Sequence, residues 1–485
     1  MRCLSLAAAL SGKGARCLFV CREKGLGLLA GSIREAGHEL LLLLQSTECP
    51  TRGENTNRTI WPAAAQLEDA TACTSLLAGH PAIDWLVVDH YGLDACWESC
   101  WRPIAGRILV IDDLADRPHN CDMLLDQNLR DDAAPYADLI PETCRQLLGP
   151  RYALLRSEFS VAGKSARSRT AADTPRLLVM FGGADHDDLT GRVVRLMAKH
   201  GLSIRTDIVV GPLYAKIDQL RHEISALSEV TLHVAPPRIA ELMGRADLAI
   251  GSPGTSSWER CSLALPTIAV AVADNQMAMA EILATTGAHL FLGDAETTPD
   301  SDLLAAIRLL IDNRPWRQHM AQAASALVDG MGADRVAARL LSGNVSVRTA
   351  EARDAAILFE WRNDPRTRRQ SFDSSPLLWE KHADWLAGVL ANRQQALLIG
   401  QKDGTDIGCV RFDLVPPQAR VSIYLDPGRT GQGLAGPLLE AAASWLTCRH
   451  PDIQQQIAEI KAGNEASRRA FLDAGFRLDH TVFIK

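Results

Sequence analysis

The stretch Gly251-Ser-Pro-Gly-Thr-Ser-Ser-Trp-Glu-Arg-Cys-Ser-Leu-Ala-Leu-Pro-Thr-Ile-Ala-Val-Ala-Val-Ala-Asp-Asn-Gln276 runs a small-residue loop, a helix start and a second apolar strand together with little between them. The apolar run 246–250 leads into it, and Gly251 and Gly254 let the backbone turn sharply and approach a neighbour closely. Thr255, Ser256 and Ser257 are placed to cap a helix beginning near Trp258, whose free N–H groups and positive dipole end favour a phosphate. Glu259, one turn further, can accept from a ribose diol. The loop therefore reads as a nucleotide-diphosphate seat or as an ordinary capped strand-to-helix turn, and a glycine-rich turn alone does not separate the two.

Working outward, the same alternation of apolar run and helical segment fills most of the chain. Apolar runs fall at 17–21, 40–44, 85–89, 108–111 and 123–125, then at 177–181, 208–210, 230–234, 248–250, 268–272 and 289–292. Such runs, buried on both faces and separated by helices, are what parallel α/β sheets require. The polar segment 163–174 lacks a large apolar side chain and reads as a linker between two such halves. The first half opens on a helix, over 1–10, where a doubly wound unit opens on a strand. Phe181-Gly-Gly-Ala-Asp-His186 is a second glycine turn after a strand, so two turns at carboxyl ends of parallel strands are expected to meet at one crevice. A hinge at 342–344 precedes a region of different order: strand from 345, helices over 354–361 and 378–390, then strands over 396–399, 406–412 and 419–425. That is an α+β layout, and the expected division is 1–165, 174–341 and 345–485.

The bulk properties agree with several domains. The chain has 485 residues, 47% of them hydrophobic and 22% charged, enough for about three cores. A net charge of −7 gives no reason to expect nucleic acid or an anionic membrane surface as a partner. Twelve cysteines are dilute at this length and read as reduced, mostly buried thiols. Cys96 and Cys100 lack a matching second pair, so no metal is expected. No apolar run reaches bilayer-spanning length, which makes a cytoplasmic protein the expectation. Oligomeric state is not legible.

Several segments carry a resemblance. Val88-Asp-His-Tyr-Gly92, Ile111-Asp-Asp-Leu-Ala115, Asp126-Gln-Asn128, Leu148-Gly-Pro-Arg-Tyr152, Phe181-Gly-Gly-Ala-Asp185, Thr255-Ser-Ser-Trp-Glu-Arg-Cys261 and Asp274-Asn-Gln276 resemble the UDP-sugar hydrolases of pseudaminic acid biosynthesis, relatives of the GT-B glycosyltransferases. The resemblance implies two Rossmann-like halves and hydrolysis of UDP-2,4-diacetamido-2,4,6-trideoxy-β-L-altropyranose to UDP and the free sugar. It implies UDP contacts at Gly251, Gly254, Thr255, Ser256, Glu259, Asn275 and Gln276, and a supporting role for Tyr91. The family's base is a histidine in a Gly-x-Gly-His loop just before a segment like Met1-Arg-Cys-Leu4, so this half lacks that first strand and loop. The expectation is a start site further upstream, with the chain as written inactive as a hydrolase. His90 is the substitute base within it, or a structural hydrogen-bonder. Asp185 and His186 read as site residues or as helix caps.

In the third region Thr430-Gly-Gln-Gly-Leu-Ala435, Asn464-Glu-Ala-Ser467 and Phe471-Leu-Asp-Ala-Gly-Phe476 resemble the GNAT N-acetyltransferases. The resemblance implies acetyl-CoA held by Arg429, Thr430, Gly431, Gly433, Ala435 and Asn464, with backbone N–H groups at a helix start on the pyrophosphate. Phe471 stands where a tyrosine acid is frequent. Trp361-Arg-Asn-Asp-Pro365 and Glu380-Lys-His-Ala-Asp-Trp385 resemble the acetyltransferase acting one step before the hydrolase, with His382 a weak candidate base. The combined expectation is a bifunctional nucleotide-sugar enzyme, and the alternative is a UDP-sugar-binding or glycosyltransferase-like clamp joined to an active acetyltransferase.

Overall fold

Among the described residues, twelve strands of the unit Met1–Val336 run parallel to their partners in three ladders, and a five-stranded sheet lies in the unit Ala337–Lys485. The computed structural model describes residues 1–23, 26–27, 29–43, 60–130, 134–166, 175–273, 276–343, 345–461 and 463–477. Asn275 and Asp274, most of the expected linker (167–174), Asn344 and the terminal 478–485 lie outside these residues. The chain divides into two compact units, Met1–Val336 and Ala337–Lys485, with the division inside the helix Gly332–Leu341.

The first unit begins with the helix Arg2–Ser11 and then β1 (Leu18–Arg22) and β2 (Glu39–Leu43), which among the described residues pair with each other alone. β3 (Ile83–Val88), β4 (Ala105–Ile111), β5 (Met123–Asp126) and β6 (Arg145–Leu148) form a second parallel ladder in sequence order. Val20 and Leu43 nevertheless pack in one cluster with Leu86, Val88, Trp97 and Trp101, so the two ladders share a core. β6 escapes a reading by periodicity because its four residues, Arg-Gln-Leu-Leu, carry only two apolar side chains.

The second half is a six-stranded parallel sheet: β7 (Leu177–Met180), β8 (Thr206–Val210), β9 (Val230–Val234), β10 (Leu248–Gly251), β11 (Thr267–Ala271) and β12 (His289–Asp294), in spatial order β12-β11-β10-β7-β8-β9. The order reverses direction between β7 and β10, which makes the gap beyond their carboxyl ends the topological switch point of a doubly wound sheet. Ile208, Leu248, Ile250 and Ile268 are fully buried on β8, β10 and β11. Covering a sheet on both faces demands this composition. The expected linker is shorter than read: the helix Ser157–Ala166 continues through 163–166. Gly163 is the reason, because a Cβ there would stand 2.9 Å from the Ser262 carbonyl oxygen, so this helix packs hard on the second half.

The second unit is an antiparallel sheet of β13 (Val345–Thr349), β14 (Gln395–Lys402), β15 (Thr405–Val415) and β16 (Gln418–Leu425), closed by β17 (Gln455–Ile457) parallel to β16. The helix Ala435–Arg449 packs on one face through Leu438, Leu439, Ala442 and Leu446, and Trp361 and Leu386 of two further helices cover the other. β17 has three residues of polar-rich text and gives no period to read.

Candidate functional site

Gly251 ends β10 opposite Met180 of β7, and a Cβ on it would lie 2.2 Å from the Met180 carbonyl oxygen. Its glycine is required by the approach of two strands at the switch point. Gly254 has no left-handed backbone, and a Cβ there would meet only Gln276 Nε2 at 4.0 Å, so the fold leaves its space open. Gln276 reaches the loop in an ordered way: its Oε1 accepts from the Val272 N–H at 3.1 Å, which leaves the amide NH2 turned toward Gly254. The second glycine turn follows β7, where Gly182 takes φ +102°. Both turns thus flank the same crevice. Asp185 caps the helix after the second turn, accepting from Leu189 N at 3.0 Å and Thr190 N at 2.9 Å, the helix-cap alternative.

The serines do something other than the expected capping. Thr255 sits in helical conformation and makes no side-chain cap bond at the start of the helix Ser256–Ser262. Ser256 Oγ accepts from Arg260 Nη1 at 3.1 Å and Ser257 Oγ from Arg260 Nη2 at 3.2 Å, while the same Nη2 donates to the Ser252 carbonyl at 2.8 Å. Arg260 is 1% exposed, and its three bonds all go to neutral oxygens of this loop. Burial lowers its pKa to about 10, so it remains a cation at neutral pH. His289 and Cys261 lie behind it, 3.9 Å apart, and burial with the nearby Arg260 charge keeps His289 well below its ordinary range. Glu259 is half-buried; burial raises its pKa while Arg156, 3.8 Å away, opposes the rise. Sequence reasoning missed Arg260 because an arginine in the last turn of a short helix reads as a solvated side chain.

At the carboxyl end of β3 the candidate base is already engaged. His90 Nδ1 accepts from the Gly92 N–H at 3.0 Å, its ring stands edge-on to Trp61 at 4.8 Å, and burial lowers its pKa. Tyr91 donates to Asp113 Oδ2 at 3.0 Å, and burial, with the Asp113 charge, pushes its hydroxyl up to about 12. Arg2 joins the group, donating to both oxygens of Asp89 (3.0 and 2.6 Å) and to Asp113 at 3.1 Å. The first helix is thereby anchored to the ends of β3 and β4.

In the second unit, Gly431 (φ +82°) and Gly433 (φ +73°) both take left-handed backbone in an exposed loop between β16 and the helix Ala435–Arg449. A Cβ on Gly431 would meet nothing within 4 Å, which leaves an open cradle at the amino end of a 15-residue helix. Arg429 pairs with Asp426 at 3.6 Å, and Thr430 Oγ donates to the Pro427 carbonyl at 3.1 Å. Asn464 caps the helix Glu465–Asp473, its Oδ1 accepting from Ser467 N at 3.1 Å. His382 is 3% exposed, donates Nε2–H to the Ala355 carbonyl at 3.0 Å and packs among Phe359, Trp379 and Trp385. Ala338 and Arg339, on the helix preceding β13, stand directly under the loop. Ala338 Cβ would be 3.5 Å from a Cβ on Gly433, and Arg339 Nη1 3.1 Å from one on Gly436. Arg339, 2% exposed, is ion-paired to Glu440 and reaches the Asp473 carbonyl at 3.5 Å. Neither residue was singled out from the sequence, since they lie far before the Thr430–Ala435 loop they support.

Residues 344–477 match the family model described as acetyltransferase (GNAT) domain. Three curated proteins are similar elsewhere or more broadly. An uncharacterized protein of Methanocaldococcus jannaschii is 24% identical over 243 residues, 49% of this chain and 48% of that one. The spore coat polysaccharide biosynthesis protein SpsG of Bacillus subtilis is 28% identical over 195 residues, 40% and 57% of the two chains. The UDP-2,4-diacetamido-2,4,6-trideoxy-beta-L-altropyranose hydrolase of Campylobacter jejuni is 27% identical over 203 residues, 42% of this chain and 71% of that one. The chain spans about half the length of the first two. It therefore joins a region similar to a UDP-sugar hydrolase to a GNAT acetyltransferase domain. Among the described residues no helix is long and apolar enough to cross a membrane.

Proposed function

We propose that this chain is a bifunctional nucleotide-sugar enzyme, organised as 1–165, 174–341 and 345–485, whose last part N-acetylates a 4-amino UDP-sugar and whose first two parts release UDP from the diacetamido product. The observation that carries the reading is the convergence at the switch point of Gly254 with open space, the Gln276 amide and a serine loop held by a cation. The nucleotide seat takes the diphosphate at the loop Gly251–Thr255 and Ser256, with Glu259 and Gln276 on the nucleoside side and Asn275 adjacent in sequence. Water adds to the anomeric carbon as the bond to the UDP oxygen breaks, and the seat stabilises the charge appearing on UDP. In the acetyltransferase the sugar amine attacks the acetyl-CoA thioester, the C–S bond breaks and the CoA thiol leaves. The cradle at Gly431 and Gly433 fits a pyrophosphate, with Arg429 and Thr430 at its rim and Ala435 opening the helix behind it. The substrate is the altropyranose series named above, and the location that supplies acetyl-CoA and UDP-sugars is the cytoplasm.

A second reading has a specific observation behind it: His90 is bound to Gly92 and Tyr91 to Asp113, so neither is free to take a proton from water. On that reading the clamp holds a UDP-sugar without cleaving it. One experiment separates them. The chain is incubated with acetyl-CoA and the 4-amino UDP-sugar while free CoA and free UDP are followed separately. Both products support the bifunctional enzyme; CoA without UDP supports the clamp; neither product from folded protein sinks both readings.

A further inference from the structure

A cation withdrawn from water is normally paired with a carboxylate, because an unpaired one costs several kcal/mol in desolvation. Arg260 is 1% exposed and spends its hydrogen bonds on one carbonyl and two hydroxyls, with Nε buried and unsatisfied. None of those partners is charged, and the Glu259 carboxylate acts on Arg260 only through the field, without a hydrogen bond. The bonds also fix the chemistry of the loop's outer face. A guanidinium has five donors and no acceptor, so each serine oxygen it touches must accept from it. The proton of each serine is then left to donate elsewhere. Ser256 is half-buried and borders the exposed Thr255, so its proton is available on the open side of the loop. At the same time the Ser252 carbonyl oxygen, which would repel an anion, is engaged from below at 2.8 Å.

We propose that Arg260 is the positioning residue of the diphosphate seat: it supplies the buried positive charge that the ligand's diphosphate neutralises, and it makes Ser256 an obligate donor to a phosphate oxygen. The inference rests on the nucleotide reading above and adds which residue makes that seat selective for a fully ionised, acceptor-only group. Arg260 acts through Ser252 and Ser256 and through its field; it does not touch the reacting atoms. Burial leaves it charged at neutral pH, so the field is present under working conditions.

The test is a pair of titrations, UDP and uridine, on wild-type protein, Arg260→Gln and Ser256→Ala, with UDP followed by calorimetry and uridine by ligand-observed NMR. Thermal melting checks each fold. Arg260→Gln is expected to weaken UDP by at least about tenfold while uridine, which has no phosphate, changes by less than about twofold. Ser256→Ala, a half-exposed change that leaves the core intact, is expected to weaken UDP several-fold with uridine again unmoved. Equal weakening of UDP and uridine in Arg260→Gln makes the arginine merely structural and overturns the proposal. So does wild-type UDP affinity in either variant. If Arg260→Gln does not fold, Ser256→Ala decides. Wild-type protein that binds neither ligand sinks the nucleotide reading itself, a result distinguishable from a retained UDP site that ignores Arg260.

Discussion

The two loops proposed to take anionic ligands each rest on a deeply buried arginine, but the arginines are compensated differently. Under the Gly431–Gly433 loop, Arg339 is ion-paired with Glu440, and the loop's shape comes from two left-handed glycines. Under the Gly251–Thr255 loop, Arg260 bonds only neutral oxygens, and neither glycine of the loop is left-handed. One seat is built from backbone conformation above a neutralised support, and the other from a stored charge beneath an ordinary turn. The difference predicts that the first arginine serves stability and the second serves binding.

The largest expected effect breaks the paired side. Arg339→Met removes the cation facing Glu440 and is expected to cost roughly 2–3 kcal/mol, somewhat less than a fully buried pair because Glu440 retains some water contact. Guanidinium unfolding of the second unit measures it, and an unchanged midpoint would erase the contrast. Gly251→Ala pushes a methyl toward the Met180 carbonyl and should cost about 2 kcal/mol by overpacking where β10 meets β7, read as a drop in melting temperature. Next comes pH. His289 is held neutral by burial, so its folded pKa lies below its unfolded value near 6.5; the unfolded chain binds the extra proton. Stability is then fully present above about 6.5 and falls below it by up to about 1.4 kcal/mol per pH unit for this one group. Urea titrations at pH 7 and 5.5 should show the fall, and His289→Leu should flatten it.

Two smaller effects sharpen the other side. Arg260→Met loses three hydrogen bonds but also removes a desolvated charge, and the net change in stability is expected to stay within about 1 kcal/mol. A loss as large as that of Arg339→Met would show that Arg260 is a structural prop. Gly254→Ala enters open space in ordinary backbone and should leave the melting temperature unchanged to within about 0.5 kcal/mol, while lowering UDP affinity if a ligand occupies that space.

Much of this was legible in residue order. The apolar runs of the second half located all six strands, and Phe181-Gly-Gly and Gly251 marked the two turns that β7 and β10 bring side by side. The Thr430–Ala435 spacing located a glycine loop before a helix, and the left-handed backbone of Gly431 and Gly433 came only with the structure. Other readings failed for identifiable reasons. β6 and β17 are too short to show a period, and the linker lost its first residues to a helix held by the Gly163 contact with Ser262. Thr255, Ser256 and Ser257 carry the chemistry of caps, yet a guanidinium competes for their oxygens. His90 carries the chemistry of a base, and its Nδ1 accepts from Gly92, the contact expected of a structural histidine.

The sequence by itself determined where the chain turns and which runs are buried, because backbone preference and hydrophobic periodicity are written in neighbouring residues. Only the tertiary structure decided which charges are balanced. Arg339 finds Glu440 101 residues away, and Arg260 finds no carboxylate among the oxygens it bonds. Compensation of a buried charge depends on what distant segments bring within about 4 Å, and no local pattern encodes that distance.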